Sequence, residues 1–213
     1  MIRTVVCDVG ETLTRDDRYW GSWADWLDVP RHTVSALVGA VVVQGRDNAE
    51  ALRLIRPGID IEAAYQAREE AGRGEYLDET DVYEDVRPAL GALREKGIRV
   101  VIAGNQTVKA GALLRALDLP ADLIATSGEW GLAKPGADFF RRVREVSEAP
   151  PEQVVYVGDH PQNDVFPAKR AGLRTAHLRR GPWGHLWADE PDVVAAADWR
   201  IDSLLDLVAL VES

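Results

Sequence analysis

Acidic side chains stand where short β-branched runs give way to turn residues. Asp8 ends the run Thr4-Val-Val-Cys-Asp8, and Asp159 and Asp164 lie in Val157-Gly-Asp-His-Pro-Gln-Asn-Asp164, just past another. Lys134, in Gly131-Leu-Ala-Lys-Pro135, and the pair Gly104-Asn105, past Ile102-Ala103, occupy comparable positions. If these runs are strands of one open parallel sheet, their carboxyl ends form a crevice in which residues distant in sequence converge. Three carboxylates in one crevice repel each other and call for a cation. An all-oxygen donor set favours Mg²⁺, and Lys134 adds a further positive charge. A hard cation beside a lysine suits a phosphoryl group, whose charge spreads over three oxygens.

The elements that must position these groups follow from periodicity. Short β-branched runs predict strands near 3–9, 98–103, 122–126, 153–157 and 174–178, and helical patterns predict helices over 84–96, 107–117, 137–147 and 161–171. In the third helix Phe139, Phe140, Val143 and Val146 recur at the spacing of one face. Strands alternating with helices imply right-handed crossovers and a parallel sheet covered on both sides, an α/β fold. Between residues 15 and 82 the rhythm fails. Helices are expected there over 16–27, 31–43, 47–55 and 61–72, punctuated by Pro30, Gly45, Pro57-Gly58 and Gly72, although 41–43 also reads as a strand. The chain therefore divides into a core of residues 1–14 and 83–213 and an inserted helical domain of residues 15–82. Trp20, Trp23 and Trp26, at i, i+3 and i+6, would build that domain's core, a pocket wall or a dimer surface. Residues 179–185 read as a loop by composition, and a last helix is expected over 203–211.

Composition narrows the setting. The 213 residues carry 35 Asp and Glu against 25 Lys and Arg, a formal charge of −10, which is poorly matched to a phosphate backbone and argues against nucleic acid as the partner. No apolar run approaches a membrane span or a signal peptide, and Cys7 alone cannot form an internal disulfide, so the expected setting is cytoplasmic, with no membrane partner. Cys7 reads as a core thiol, and His32, His160, His177 and His185 lack zinc spacing.

Together these residues resemble the haloacid-dehalogenase-like (HAD) hydrolase superfamily. Asp8-Val-Gly10-Glu-Thr12-Leu13 resembles its opening D-x-D-x-T-L motif, Lys134 in Gly-Leu-Ala-Lys-Pro its third motif, and Gly158-Asp159-His-Pro-Gln-Asn163-Asp164 its fourth, G-D-x-x-x-N-D. The matches keep their order from Val5 to Leu178. The resemblance implies a Rossmann-like parallel sheet core with an inserted, mostly helical cap domain that selects substrate. It further implies that Asp8 is the nucleophile that becomes an aspartyl phosphate and that Lys134 holds Asp8 and the transferring group. Asp8, Asp159, Asp164 and the carbonyl of Gly10 would bind Mg²⁺, and Thr12 would support the loop by hydrogen bonding and border the phosphate site.

Two departures bear on the reaction. The second acid of D-x-D, which in the family's phosphatases protonates the leaving group and then activates water, is Gly10 here. A general acid or base contributes ~10²–10⁴ in rate, so its loss favours acyl and aryl phosphates over alkyl ones unless Glu11, His160 or a cap carboxylate replaces it. Where the family has a phosphate-gripping Ser or Thr stands Gly104. Its backbone N–H and the Asn105 amide would then serve the anion, or the glycine simply permits a strand-to-helix turn. The leading expectation is a Mg²⁺-dependent phosphatase acting on a small phosphorylated metabolite, with a homodimer left open. The alternative is a catalytically impaired relative that binds a phosphorylated ligand or a protein. A haloacid dehalogenase fits less well because that branch needs no metal. A phosphonatase is disfavoured because residues 15–82 contain no lysine for a Schiff base.

Overall fold

The computed structural model describes residues 1–211. Six strands form one parallel sheet: β1 (Thr4–Cys7), β2 (Arg99–Gly104), β3 (Leu123–Thr126), β4 (Val154–Gly158), β5 (Arg174–Leu178) and β6 (Trp199–Ile201), in the order β3-β2-β1-β4-β5-β6. β1 lies between β2 and β4, with Val6 level with Val101 on one side and Tyr156 on the other. All four residues of β1 are buried, as expected for a central strand covered on both faces. The chain runs from β1 outward to β3, then returns to the far side of β1 to start β4. This reversal makes the carboxyl ends of β1 and β4 the switch point at which open α/β sheets bind ligands.

The chain forms two compact units, Met1–Arg15 with the chain from Asp78 onward, and Asp16–Leu77. The second unit is helical: α1 (Asp17–Leu27), α2 (Arg31–Val43), α3 (Glu50–Ile55) and α4 (Ile61–Glu70). Val34, Val38, Val41 and Val42 are buried on α2, so the 41–43 run is helix and not strand, its valines completing a face begun a turn earlier. α3 starts at Glu50 and not at 47, because the Asp47 side chain accepts the Ala49 N–H and closes a turn there. Trp20 and Trp23 are buried, while Trp26 is only partly covered and lies under the Arg73 guanidinium.

Around the sheet run α5 (Val86–Glu95), α6 (Val108–Ala116), α7 (Ser127–Trp130), α8 (Ala137–Ser147), α9 (Phe166–Arg170), α10 (Gly181–Leu186), α11 (Pro191–Ala196) and α12 (Leu204–Leu210). α8 seats Phe139, Phe140 and Val143, all buried, in a cluster with Val6, Val101 and Tyr156. Thr107 and Ser203 are the N-caps of α6 and α12 and not their first residues.

Two expectations need correction. The helix over 161–171 opens as a π turn, Pro161–Val165, before α9 continues; Pro167 has no N–H to sustain regular helical bonding at this point. Residues 179–185 are not simply loop, since α10 starts at Gly181 with Pro182 in its first turn, where a missing N–H costs nothing. The short edge strand β6 and the one- to two-turn helices α7 and α11 were too brief to show a period in the sequence.

Candidate active site

The site is built at the carboxyl ends of β1, β2 and β4. Asp8 directly follows β1, and its N–H donates to the Val157 carbonyl at 2.9 Å, extending the β1–β4 ladder by one residue. Lys134 comes from the loop before α8, and its Nζ lies 2.6 Å from Asp8 Oδ1 and 2.6 Å from Asp164 Oδ1. Asp8, Asp159 and Asp164 are all buried, each with a carboxylate oxygen within 4.8 Å of the others. Asp164 is turned inward by the π turn, and its Oδ2 accepts the His160 N–H at 3.0 Å. Gly158 is required beneath it, because a Cβ there would lie 2.2 Å from Asp164 Oδ2.

The electrostatics follow from this burial. Burial pushes the Asp8 carboxyl up to about 6; the Lys134 ammonium opposes that rise and Asp164 adds to it. Burial by itself would discharge Lys134, yet Asp164 and Asp8 hold it well above the ordinary lysine value, so the ammonium is charged. Its Nζ also lies 5.6 Å from the centre of the Tyr156 ring, whose hydroxyl donates to the Ala103 carbonyl. One ammonium among three buried carboxylates leaves a deficit of positive charge, and the donors are all oxygen. This chemistry fits a hard divalent cation.

The other expected residues fare differently. Gly104 sits so close to the nucleophile candidate that a Cβ would be 2.4 Å from Asp8 Oδ1; close approach, more than a turn, accounts for this glycine. The Asn105 amide clamps the lysine's backbone, its Nδ2 donating to the Lys134 carbonyl and its Oδ1 accepting the Lys134 N–H at 2.8 Å. This clamp positions the lysine and uses one of the two Nδ2 hydrogens. Thr12 does not brace the loop through its hydroxyl, which is buried without a hydrogen-bond partner among the described residues. Its backbone does so instead, the N–H donating to Val9 and the carbonyl accepting from Arg180 Nη1 at 2.8 Å.

Two of the expected substitutes for the missing acid, Glu11 and His160, are engaged elsewhere. Glu11, in the left-handed conformation, accepts the Tyr83 hydroxyl at 2.5 Å, and the guanidinium groups of Arg15 and Arg180 both lie over that ring. His160 packs against Trp183 and Trp187, and burial, with Lys134 nearby, pushes its imidazole down to about 4, leaving it neutral near pH 7. The Cys7 thiol, pushed up to about 12 by burial and by Asp8, is inert.

Sequence reasoning missed Arg180, which joins the Thr12 carbonyl to the Asp85 carboxylate, and His177, whose Nε2 lies 3.0 Å from the Asp159 carbonyl oxygen. Burial lowers the His177 pKa. Neither residue belongs to a local motif; the Arg179-Arg180 pair ending a strand was the available signal.

The profile of the haloacid dehalogenase-like hydrolases matches residues 2–172. The chain belongs to this family. Among curated relatives, a glyceraldehyde 3-phosphate phosphatase of Methanocaldococcus jannaschii is 32% identical over 127 residues, 58% of this chain and 54% of the relative. A phosphoserine phosphatase of Thermus thermophilus is 30% identical over 129 residues, covering 59% and 49%. The chain thus spans about half the length of the curated relatives it matches. Among solved structures, the magnesium-bound HAD-hydrolase YfnB from Bacillus subtilis covers all of this chain with a TM-score of 0.74 at 16% identity, this chain covering 99% of it. A HAD phosphatase from Thermococcus onnurineus gives 0.64 at 19% identity, covering 99% of this chain and 98% of its own. At such identities these structures establish the fold, the α/β Rossmann-like architecture described above. Among the described residues no helix is long and apolar enough to cross a membrane.

Proposed function

We propose that the chain is a Mg²⁺-dependent phosphatase of a small phosphorylated metabolite, with Asp8 as nucleophile. The observation that carries this reading is the placement of Lys134 Nζ 2.6 Å from Asp8 Oδ1 within a cluster of three buried carboxylates. The phosphatases among the relatives support the substrate class. Asp8, Asp159, Asp164 and the Gly10 carbonyl would hold Mg²⁺. Bound there, the ion supplies positive charge to the carboxylates and to the oxygens of a transferring phosphoryl group.

The chain's own residues do the rest. A carboxylate oxygen of Asp8 forms a bond to phosphorus as the bond to the leaving oxygen breaks, that oxygen departing with the electron pair. Lys134 holds Asp8 in line and offsets the charge, and Asn105 fixes the lysine's backbone from both sides. Water then cleaves the acyl phosphate, restoring Asp8 and releasing inorganic phosphate. With no side chain at Gly10 to protonate the leaving oxygen, good leaving groups are favoured. The helical unit 16–77 takes the substrate-selecting role of the family's cap. A second reading, a binding protein with little turnover, draws on the same glycine and on the engagement of Glu11 with Tyr83.

The test is a burst assay with p-nitrophenyl phosphate and Mg²⁺, comparing the parent with Asp8→Asn. The expected result is a Mg²⁺-dependent burst of about one equivalent, lost in the variant, then a slow phase limited by hydrolysis of the acyl phosphate. A folded parent with neither burst nor turnover favours the binding protein.

A further inference from the structure

The peptide unit joining Asp159 to His160 is held at both ends. Its N–H donates to Asp164 Oδ2 at 3.0 Å, while its carbonyl oxygen lies 3.0 Å from His177 Nε2. A carbonyl oxygen only accepts, so Nε2 carries the proton. His177 belongs to β5, where it is level with Gly158, the last residue of β4. Its side chain therefore reaches the first residue past the end of the strand, which is a carboxylate of the cluster. His177 is 1% exposed, so its orientation is set by packing and this bond does not compete with bulk water.

The connection runs on through the site. A trans peptide unit is planar, so its carbonyl and N–H move together. Rotating the carbonyl away from His177 would swing the His160 N–H away from Asp164, whose other oxygen is held by Lys134, which in turn holds Asp8. One imidazole thus governs the peptide that carries Asp159 and anchors Asp164. We propose that His177 is a positioning residue for the cation-binding carboxylates, setting the affinity for a divalent ion by fixing the Asp159–His160 peptide. The inference rests on the proposed Mg²⁺ site and deepens it.

The experiment is calorimetric titration of substrate-free protein with MgCl₂, using the parent, His177→Phe, which keeps a ring without a donor, and His177→Gln, which returns an N–H near the Nε2 position. Partners behind metal ligands commonly affect affinity 10- to 100-fold, so His177→Phe is expected to bind Mg²⁺ at least about 10-fold more weakly and His177→Gln to recover most of the loss. Equal affinity of parent and His177→Phe overturns the proposal, as does equal weakening in both variants, which would indicate packing and not the donor. A parent that binds no Mg²⁺ overturns the metal reading itself, an outcome distinct from either. Should the variants fail to fold, ¹⁵N NMR of the parent decides: a protonated Nε2 is expected, and a proton on Nδ1 alone overturns the proposal.

Discussion

Among the described residues each unit of the chain buries one long cationic side chain, and the two are held in opposite ways. In the α/β unit Lys134 touches Asp8 and Asp164 at 2.6 Å, and the carboxylates raise its pKa well above the ordinary value despite burial. In the helical unit Arg68, only 1% exposed, gives one hydrogen bond, from Nη2 to Ser22 Oγ at 2.6 Å, and lies 4.1 Å from the Trp23 ring centre. Its Nε and Nη1 have no hydrogen-bond partner among the described residues, and burial lowers its pKa, with Tyr19, Tyr65, Glu75 and Glu69 opposing. Burial is thus common to both and does not mark a site. Reciprocal charge does: Lys134 completes a cluster that would be overloaded without it, whereas Arg68 serves as a stem and flat surface for its neighbours.

The largest test of this contrast is Lys134→Met. Removing one partner of a buried ion pair costs about 3–5 kcal/mol of stability, and withdrawing the charge beside the proposed nucleophile is expected to lower kcat by about 10²–10³. The titration of Asp8 gives the sign. In metal-free protein its pKa is near 6 when folded, so folding binds its proton and Asp8 weakens stability as pH rises from about 4 to about 6. Lysine lowers that pKa, so Lys134→Met should extend the loss of stability to higher pH. Urea midpoints from pH 4 to 8 in EDTA read both effects; an unchanged profile would show that Lys134 and Asp8 are not coupled.

Gly104→Ser perturbs the same pair more gently. Its Cβ would fall 2.4 Å from Asp8 Oδ1, forcing the carboxylate or β2 to move. Misplacing a reacting group by about 1 Å can cost 10²-fold, so a burst slowed about 10²-fold at saturating Mg²⁺ is expected. A faster burst would mean that the hydroxyl compensates by gripping phosphate as it does in the family.

How much of this was legible depends on how local the cause is. α2 and α8 lie where the periodicity placed them, because a run of buried side chains on one face is written in adjacent turns. The meeting of Asp8, Lys134, Asp159 and Asp164 could be read because each follows a recognisable strand or precedes a helix. Contacts made after the chain has folded could not. Arg180 meets Thr12 across 168 residues, and His177 meets Asp159 across the β4–β5 pairing. Asn105 reads as an anion donor because its side chain suits one; that its amide also clamps the Lys134 backbone is a tertiary fact. The reason for Gly104 likewise lies in a neighbouring strand and not in its own turn.

Arg68→Met gives the smallest expected effect and tests the other half of the comparison. Methionine keeps an unbranched stem and a polarisable group to lie against Trp23, and it removes a guanidinium whose burial is met by a single serine hydroxyl. Replacing a buried charge with an apolar side chain of similar length is often neutral or stabilising, so the denaturation midpoint should correspond to a change within about 1 kcal/mol of the parent. The Ser22 hydroxyl loses a donor but is only partly buried and can turn to water. A loss of 3 kcal/mol or more would place Arg68 beside Lys134 as a charge on which its surroundings depend. It would also remove the distinction between burial and reciprocal pairing on which the assignment of the active site to the α/β unit partly rests.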